Sequence, residues 1–124
     1  MPPKHMHRAT ANRMRSLDLF SGIGSFSLAL DALGCSTVGY CDADEGSRAV
    51  LRARMAEGRL HQAPIFDDVR KVGRRHLVRL AVDAICAGFP CVDLSSLGPR
   101  AGLQSTSERS GLFWEVVRLC LMRV

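Results

Sequence analysis

Apolar and polar positions along the chain fall into blocks that switch between short apolar runs and helical spacing. SLDLF (16–20) is a short apolar run ending at SGIGS (21–25), the pattern of a strand that meets a glycine turn. SFSLALDALG (25–34) has apolar residues at Phe26, Leu28, Ala29, Leu30 and Leu33 before Gly34, which predicts a helix closed by a glycine. STVGYCDAD (36–44) reads as a second strand ending in acids, and residues 45–57 as a helix stopped by Gly58. API (63–65) is a brief third strand, and residues 69–80 are a short helix or a helical turn. AVDAICAGF (81–89) is the strongest strand pattern in the chain. A glycine- and serine-rich loop, GPRAGLQSTSERSG (98–111), leads into a final amphipathic helix, SGLFWEVVRLCLMRV (110–124).

Strands thus alternate with helices four times. That order predicts an α/β fold, an open parallel sheet of about four strands with flanking helices and right-handed crossovers. Ligands of such sheets bind beyond the carboxyl ends of the strands. The glycine turn, the acids after the second strand and the segment AGFPCVDLSS (87–96) all fall at those ends.

Composition narrows the picture. The 124 residues fit one domain, with 47% hydrophobic and 23% charged residues. No apolar run is long enough for a bilayer span, and the N-terminus lacks the apolar core of a signal peptide. Residues 1–15 carry Lys4, Arg8, Arg13 and Arg15 and no acid, so they read as a basic flexible tail, with the domain at 16–124. A transit peptide also fits this Arg-rich, acid-poor stretch. Four of the five units of net charge lie there. Residues 48–79 hold nine basic residues against Glu57, Asp67 and Asp68. Such a cluster suits either phosphate contacts or a solvated helical face. The five cysteines, Cys35, Cys41, Cys86, Cys91 and Cys120, are odd in number and form no CxxC pair. This argues against a disulfide framework and a zinc site, and for a reducing, intracellular setting in cytoplasm, nucleoid or nucleus. Neither a metal nor a membrane partner is expected.

Candidate chemistry sits in four places. Gly22 and Gly24 permit a tight turn and close approach of a ligand, and the following helix offers N–H groups and a positive dipole end. A nucleotide-like cofactor is implied, although Ser27 stands where a dinucleotide site has its third glycine. About 20 residues on, Asp42 or Asp44 is placed to meet ribose hydroxyls, unless Asp44 caps the next helix. Asp67 and Asp68 follow the third strand and are candidates for an adenine amino group or simple turn residues. Cys91 follows Pro90 at the end of the strongest strand, where proline fixes φ and a thiolate is open to a substrate. Cys86, five residues earlier, reads as inert core. None of His5, His7, His61 and His76 has a spacing that pairs it with Cys91.

Together, DLFSGIG (18–24), the segment GFPCVDLSSLGPRAGL (88–103) and ERSGLFWEVVRL (108–119) resemble, in order, motifs of the DNA (cytosine-5) methyltransferase family, in the N-terminal half of its catalytic domain. The resemblance spans about residues 16–120. It implies a Rossmann-like fold binding S-adenosyl-L-methionine, and DNA as substrate. It also implies that Cys91 attacks C6 of a cytosine flipped out of the duplex, after which C5 takes the methyl group and loses its proton. By the same resemblance Pro90 shapes the nucleophile's loop and Ser95 lies near the target nucleotide. Residues 93–108 match a loop that closes over DNA. Asp18 matches an acid near the methionine moiety, Phe20 a ring near the adenosyl group, and Gly22 and Gly24 the turn. Asp68 matches the acid that meets adenine. Asp42 stands where the family more often has a glutamate for the ribose. Val92 replaces the usual glutamine after the cysteine.

The family's Glu-Asn-Val segment, its target-recognition region and its closing motif have no counterpart in these 124 residues. The expectation is therefore a fragment or one subunit, inactive alone, that needs a second chain. Its sheet would lack later strands and its final helix would have little to pack against. The alternatives are a non-catalytic S-adenosylmethionine-binding module or an inactive truncated product. An NAD-type oxidoreductase lacks its third glycine.

Overall fold

The computed structural model describes residues 13–88 and 108–122. In chain order it contains β1 (Met14–Leu19), α1 (Ser25–Ala32), β2 (Cys35–Cys41), α2 (Glu45–Ala56) and β3 (Ile65–Phe66). A 3-10 turn at Val69–Lys71 precedes α3 (Arg74–Arg79), β4 (Ala84–Ala87) and α4 (Glu108–Met122). The strands form one parallel sheet in the order β3-β2-β1-β4. The chain steps outward from β1 to β3 and then returns past β1 to lay down β4. That reversal puts the topological switch point, where such sheets open a crevice, between β1 and β4. The alternating pattern of the sequence thus produces the predicted α/β, Rossmann-like sheet.

Element boundaries move for local reasons. β1 begins at Met14 rather than at residue 16, and Met14 and Arg15 pair with Cys35 and Ser36. Arg15 N donates to Asp83 Oδ2 at 2.9 Å, and the Arg13 guanidinium donates to Asp31 Oδ1 and to Cys35 O, both at 2.6 Å. These bonds draw the end of the basic stretch onto the sheet. The 69–80 segment becomes two elements because Val72 and Gly73 are extended between the turn and α3. β4, the strongest strand pattern, is only four residues long and half-buried throughout. It pairs with β1 alone among the described residues, so only one of its edges is covered.

Strand alternation divides the interior. Leu17 and Leu19 of β1 join Val38, Val72, Leu77, Val82 and Leu119 in one apolar cluster, with Val69 and Cys41. A second cluster packs Tyr40 against Leu51, Met55 and Leu60. The final helix contradicts its expectation of having little to pack against. Leu119 is fully buried, and Leu112, Val116 and Met122 pack against the first cluster. Arg118 fixes α4 further, since its Nη2 donates to Val69 O at 3.1 Å and Val72 O at 2.9 Å.

Helix α1 departs most from its apolar pattern. Its buried residues are Ser27 and Asp31, whereas Phe26 and Leu33 are 50% and 79% exposed. The reason lies opposite. Ser16 and Asp18 occupy the alternate positions of β1, so the helix meets polar groups and answers with polar groups. Ser27 donates to Asp18 Oδ2 at 2.6 Å, and Asp31 takes Arg13 while His61 Nε2 lies 3.2 Å from the same oxygen.

Candidate functional site

A cleft of about 550 Å³ opens at the carboxyl ends of β1, β2 and β3. Phe20, Cys41, Asp42, Asp44, Asp68 and Leu112 are among the residues lining it, with Ala43, Asp67, Val69 and Arg70. The strands deliver them directly: Phe20 follows Leu19, Asp42 follows Cys41, and Asp67 follows Phe66. Phe20 has a φ of 55°, the left-handed region that bulky side chains rarely enter. Such strain persists where surrounding structure enforces it and concentrates at functional sites.

The turn after β1 is tied down by hydrogen bonds. Ser21 N donates to Cys41 O at 3.0 Å, and Ser21 Oγ donates to Asp18 O at 2.6 Å. Gly22 N donates to Asp42 Oδ2 at 2.7 Å. Both turn glycines have positive φ, 56° for Gly22 and 87° for Gly24, but they face different surroundings. A Cβ on Gly22 would meet nothing within 4 Å, whereas one on Gly24 would lie 2.8 Å from Leu60 Cδ1. Close approach to a ligand is therefore available at Gly22. At Gly24 the absent Cβ makes room for the core.

The acids separate into distinct tasks. Asp44 is the N-cap of α2, its carboxylate accepting from Ser47 N at 2.7 Å, and those bonds hold its carboxyl below the ordinary range. Asp42 bridges two turns, its Oδ1 accepting from Asp44 N at 2.9 Å. Asp68 Oδ1 accepts from Arg70 Nε and N, which likewise lowers its carboxyl. Asp67 contacts Lys71 Nζ at 3.2 Å. Asp18 does not line the cleft. It is fully buried beneath the turn, and its Oδ1 has no hydrogen-bond partner among the described residues. Burial pushes its carboxyl up to about 6, against the opposing hydrogen bond from Ser27 and with a further push from the Asp42 charge.

Two cysteines close to the site, Cys41 and Cys86, are poor nucleophiles. Burial, aided by the Asp42 charge, pushes the Cys41 thiol up to about 12. Cys86 of β4 pairs in register with Asp18 of β1 and is half-buried rather than core. Its thiol is also raised, first by burial and then by Asp18. Cys91, Pro90 and Ser95 lie outside the described residues, as does most of the 93–108 loop. Gly88, the last described residue before them, donates to Leu19 O at 3.2 Å beside Phe20.

Phe20, Gly22, Asp42 and Asp68 are thus brought to one turn-and-cleft unit, and Asp18 is placed under it. Five lining residues carried no site assignment from sequence: Cys41, Ala43, Val69, Arg70 and Leu112. Leu112 belongs to the ERSGLFW segment, whose apolar spacing marks a helix but not which turn of it reaches the cleft. Four carboxylates and an aromatic ring around one cleft suit a cationic nucleoside. Among the described residues no three His, Cys, Asp or Glu side chains form a metal-binding group, and no helix is long and apolar enough to cross a membrane.

Comparison with known proteins bears on the whole described region. The model of the C-5 cytosine-specific DNA methylase family matches residues 14–122. The type II methyltransferase M2.BsuMI of Bacillus subtilis (strain 168) is 35% identical over 106 residues, 86% of this chain and 24% of that protein. The type II methyltransferase M.CviJI of Paramecium bursaria Chlorella virus IL3A is 32% identical over 105 residues, 85% of this chain and 26% of that protein. The chain therefore spans about a quarter of the length of these curated relatives. Among solved structures, the PH0226 protein from Pyrococcus horikoshii OT3 is 30% identical, with a TM-score of 0.42 over 49% of this chain and 26% of that chain.

Proposed function

The chain belongs to the C-5 cytosine-specific DNA methylase family, and we propose that residues 16–124 form the cofactor-holding part of a DNA (cytosine-5) methyltransferase. The observation that carries this reading is the acid-lined cleft at the carboxyl ends of β1 to β3, lined by Phe20 and by Asp42, whose carboxylate holds the Gly22 turn. S-adenosyl-L-methionine, the donor in this reading, supplies a methyl group activated on a sulfonium. Phe20 packs its adenosyl part, Asp68 meets the adenine amino group, and Asp42 faces the ribose. Asp18 acts from below, through the turn, toward the methionine end.

In the same reading Cys91 is the nucleophile toward C6 of a flipped cytosine, Pro90 fixes its backbone and Ser95 contacts the target nucleotide. DNA is the partner and the cell interior the setting. Since 124 residues match about a quarter of the relatives' length, the reaction is assigned to these residues acting with further polypeptide, in the same chain or in a second one.

Calorimetry with S-adenosylhomocysteine tests the cofactor assignment. The 124-residue chain should bind it, and Phe20→Ala should weaken binding by about 1–2 kcal/mol through lost ring contact. Absence of binding by the folded wild type would overturn the assignment.

A further inference from the structure

The turn that should cradle a ligand already holds an anion of its own. Its Ser21, Gly22 and Gly24 N–H groups are all engaged within the protein, to Cys41 O, Asp42 Oδ2 and Ser21 O at 3.0, 2.7 and 2.9 Å. A glycine turn running into a helix ordinarily offers such groups to a phosphate. Here the Asp42 carboxylate takes that place. It is also fixed in position: Oδ1 accepts from Asp44 N, Asp42 N donates to Phe66 O at 3.1 Å, and Arg48 Nη1 donates to Asp42 O at 3.0 Å. Asp44, Asp67 and Asp68 add negative charge along the same cleft. The guanidinium of Arg70 is turned onto Asp68, with Nε 3.0 Å from Oδ1.

We propose that Asp42 is a specificity-determining residue that makes this turn reject phosphate-bearing adenosine ligands and favour cationic ones. The inference rests on the cofactor reading above and deepens it. A phosphate brought to the turn meets a carboxylate where it would need N–H donors, and the like charges repel in a partly desolvated site. A sulfonium-bearing adenosine carries net positive charge and gains from the same field. The demethylated, uncharged product gains less, so the charge at Asp42 also favours donor over spent product.

The test compares three probes, S-adenosylmethionine, S-adenosylhomocysteine and AMP, on wild type, Asp42→Asn and Asp42→Glu. Wild type should bind AMP at least about tenfold more weakly than S-adenosylmethionine. Raising salt from about 0.05 to about 0.5 M should narrow that gap, because screening weakens both the repulsion and the attraction. Asp42→Asn should narrow it several-fold, and Asp42→Glu should restore most of it. The Gly22 amide proton, held by a charged acceptor, should move upfield in Asp42→Asn, which reports the lost contact independently of any ligand.

Wild type that binds none of the three probes overturns the cofactor reading, and this inference with it. Wild type that binds S-adenosylmethionine and AMP equally, or shows no salt effect on their ratio, overturns this inference alone. So does an Asp42→Asn variant whose Gly22 amide moves while the ratio stays put. Should that variant not fold, the salt series on wild type decides.

Discussion

The Ser27 hydroxyl donates to Asp18 Oδ2 at 2.6 Å, across the interface where α1 lies on β1. Thr37 Oγ1 in turn donates to Ser27 Oγ at 2.9 Å, which extends the contact to β2. A helix and two strands are therefore joined by hydroxyls and a carboxyl instead of apolar side chains. Satisfied buried networks of this kind fix geometry, and unsatisfied members carry a penalty. Asp18 Oδ1 is such a member. The network sits directly under the Ser21–Gly22 turn, so its protonation state bears on the floor of the cleft.

Stability should therefore rise as pH falls toward 4. Asp18 has a folded value of about 6 against 3.8 unfolded. A raised value means that the folded state prefers the proton. The stabilisation is complete below the unfolded value and is lost as pH rises through about 6. Two pH units correspond to roughly 3 kcal/mol. Asp44 and Asp68, whose carboxyls are lowered, act in the opposite direction, but only as pH falls below their unfolded value of 3.8. Urea titrations at pH 8 and pH 4.5 should show wild type gaining stability relative to Asp18→Asn, which carries no charge to bury. Parallel pH profiles for the two proteins would contradict the assignment.

Gly24→Ala should destabilise the fold by about 3 kcal/mol, from a left-handed backbone penalty of about 1–2 kcal/mol and overpacking against the core. The added Cβ would lie 2.8 Å from Leu60 Cδ1 and 3.2 Å from Leu51 Cδ2. Gly22→Ala has open space and bears only the backbone penalty, about 1 kcal/mol. Urea midpoints at constant slope measure the difference. Equal losses would mean that Gly24 is no more closely packed than Gly22.

The chain's order of elements was legible because apolar runs and helical spacing report local structure. What the pattern could not report was which partner each face meets. Phe26 and Leu33 look like core in sequence, yet the polar positions Ser16 and Asp18 on β1 turn the helix the other way. The strand 81–89 is the strongest strand pattern because it is apolar, yet it shortens to Ala84–Ala87 with one paired edge among the described residues. The two readings of Asp42 and Asp44 were open for the same reason. Both acids follow β2, and only the hydrogen bonds to Ser47 and Gly22 separate a helix cap from a turn anchor. The convergence of Phe20, Asp42 and Asp68 was legible, because strand ends in a parallel sheet share one edge.

Arg118→Met should loosen α4. The guanidinium donates to two carbonyl oxygens, Val69 O and Val72 O, while its Nε reaches Glu115 Oε2 at 2.6 Å. Hydrogen bonds from a charged donor contribute about 1.5–3 kcal/mol, and the methionine keeps the stem's apolar contact. A loss of about 2 kcal/mol is expected, with faster amide exchange around residues 69–72. An unchanged urea midpoint would show that Leu119 and its neighbours hold the helix without help.

Trapping of Cys91 on DNA needs the completed enzyme, with the remaining polypeptide supplied in the same chain or as a second one. DNA carrying 5-fluorocytosine at the target should then form a covalent adduct. Attack at C6 makes C5 nucleophilic and C5 takes the methyl group, but fluorine cannot leave as a proton does, so the thioether to the base persists. Cys41 and Cys86 cannot substitute, since burial raises both thiols and disfavours the thiolate that attack requires. The adduct should survive Cys86→Ala, a change at a half-buried strand position, and vanish in Cys91→Ala. Methyl transfer by residues 1–124 alone should not exceed that of a Cys91→Ser control. A denaturing gel reads the outcome: a shifted band in Cys91→Ala, or none in wild type with cofactor and folded partner present, removes Cys91 from the nucleophile's role.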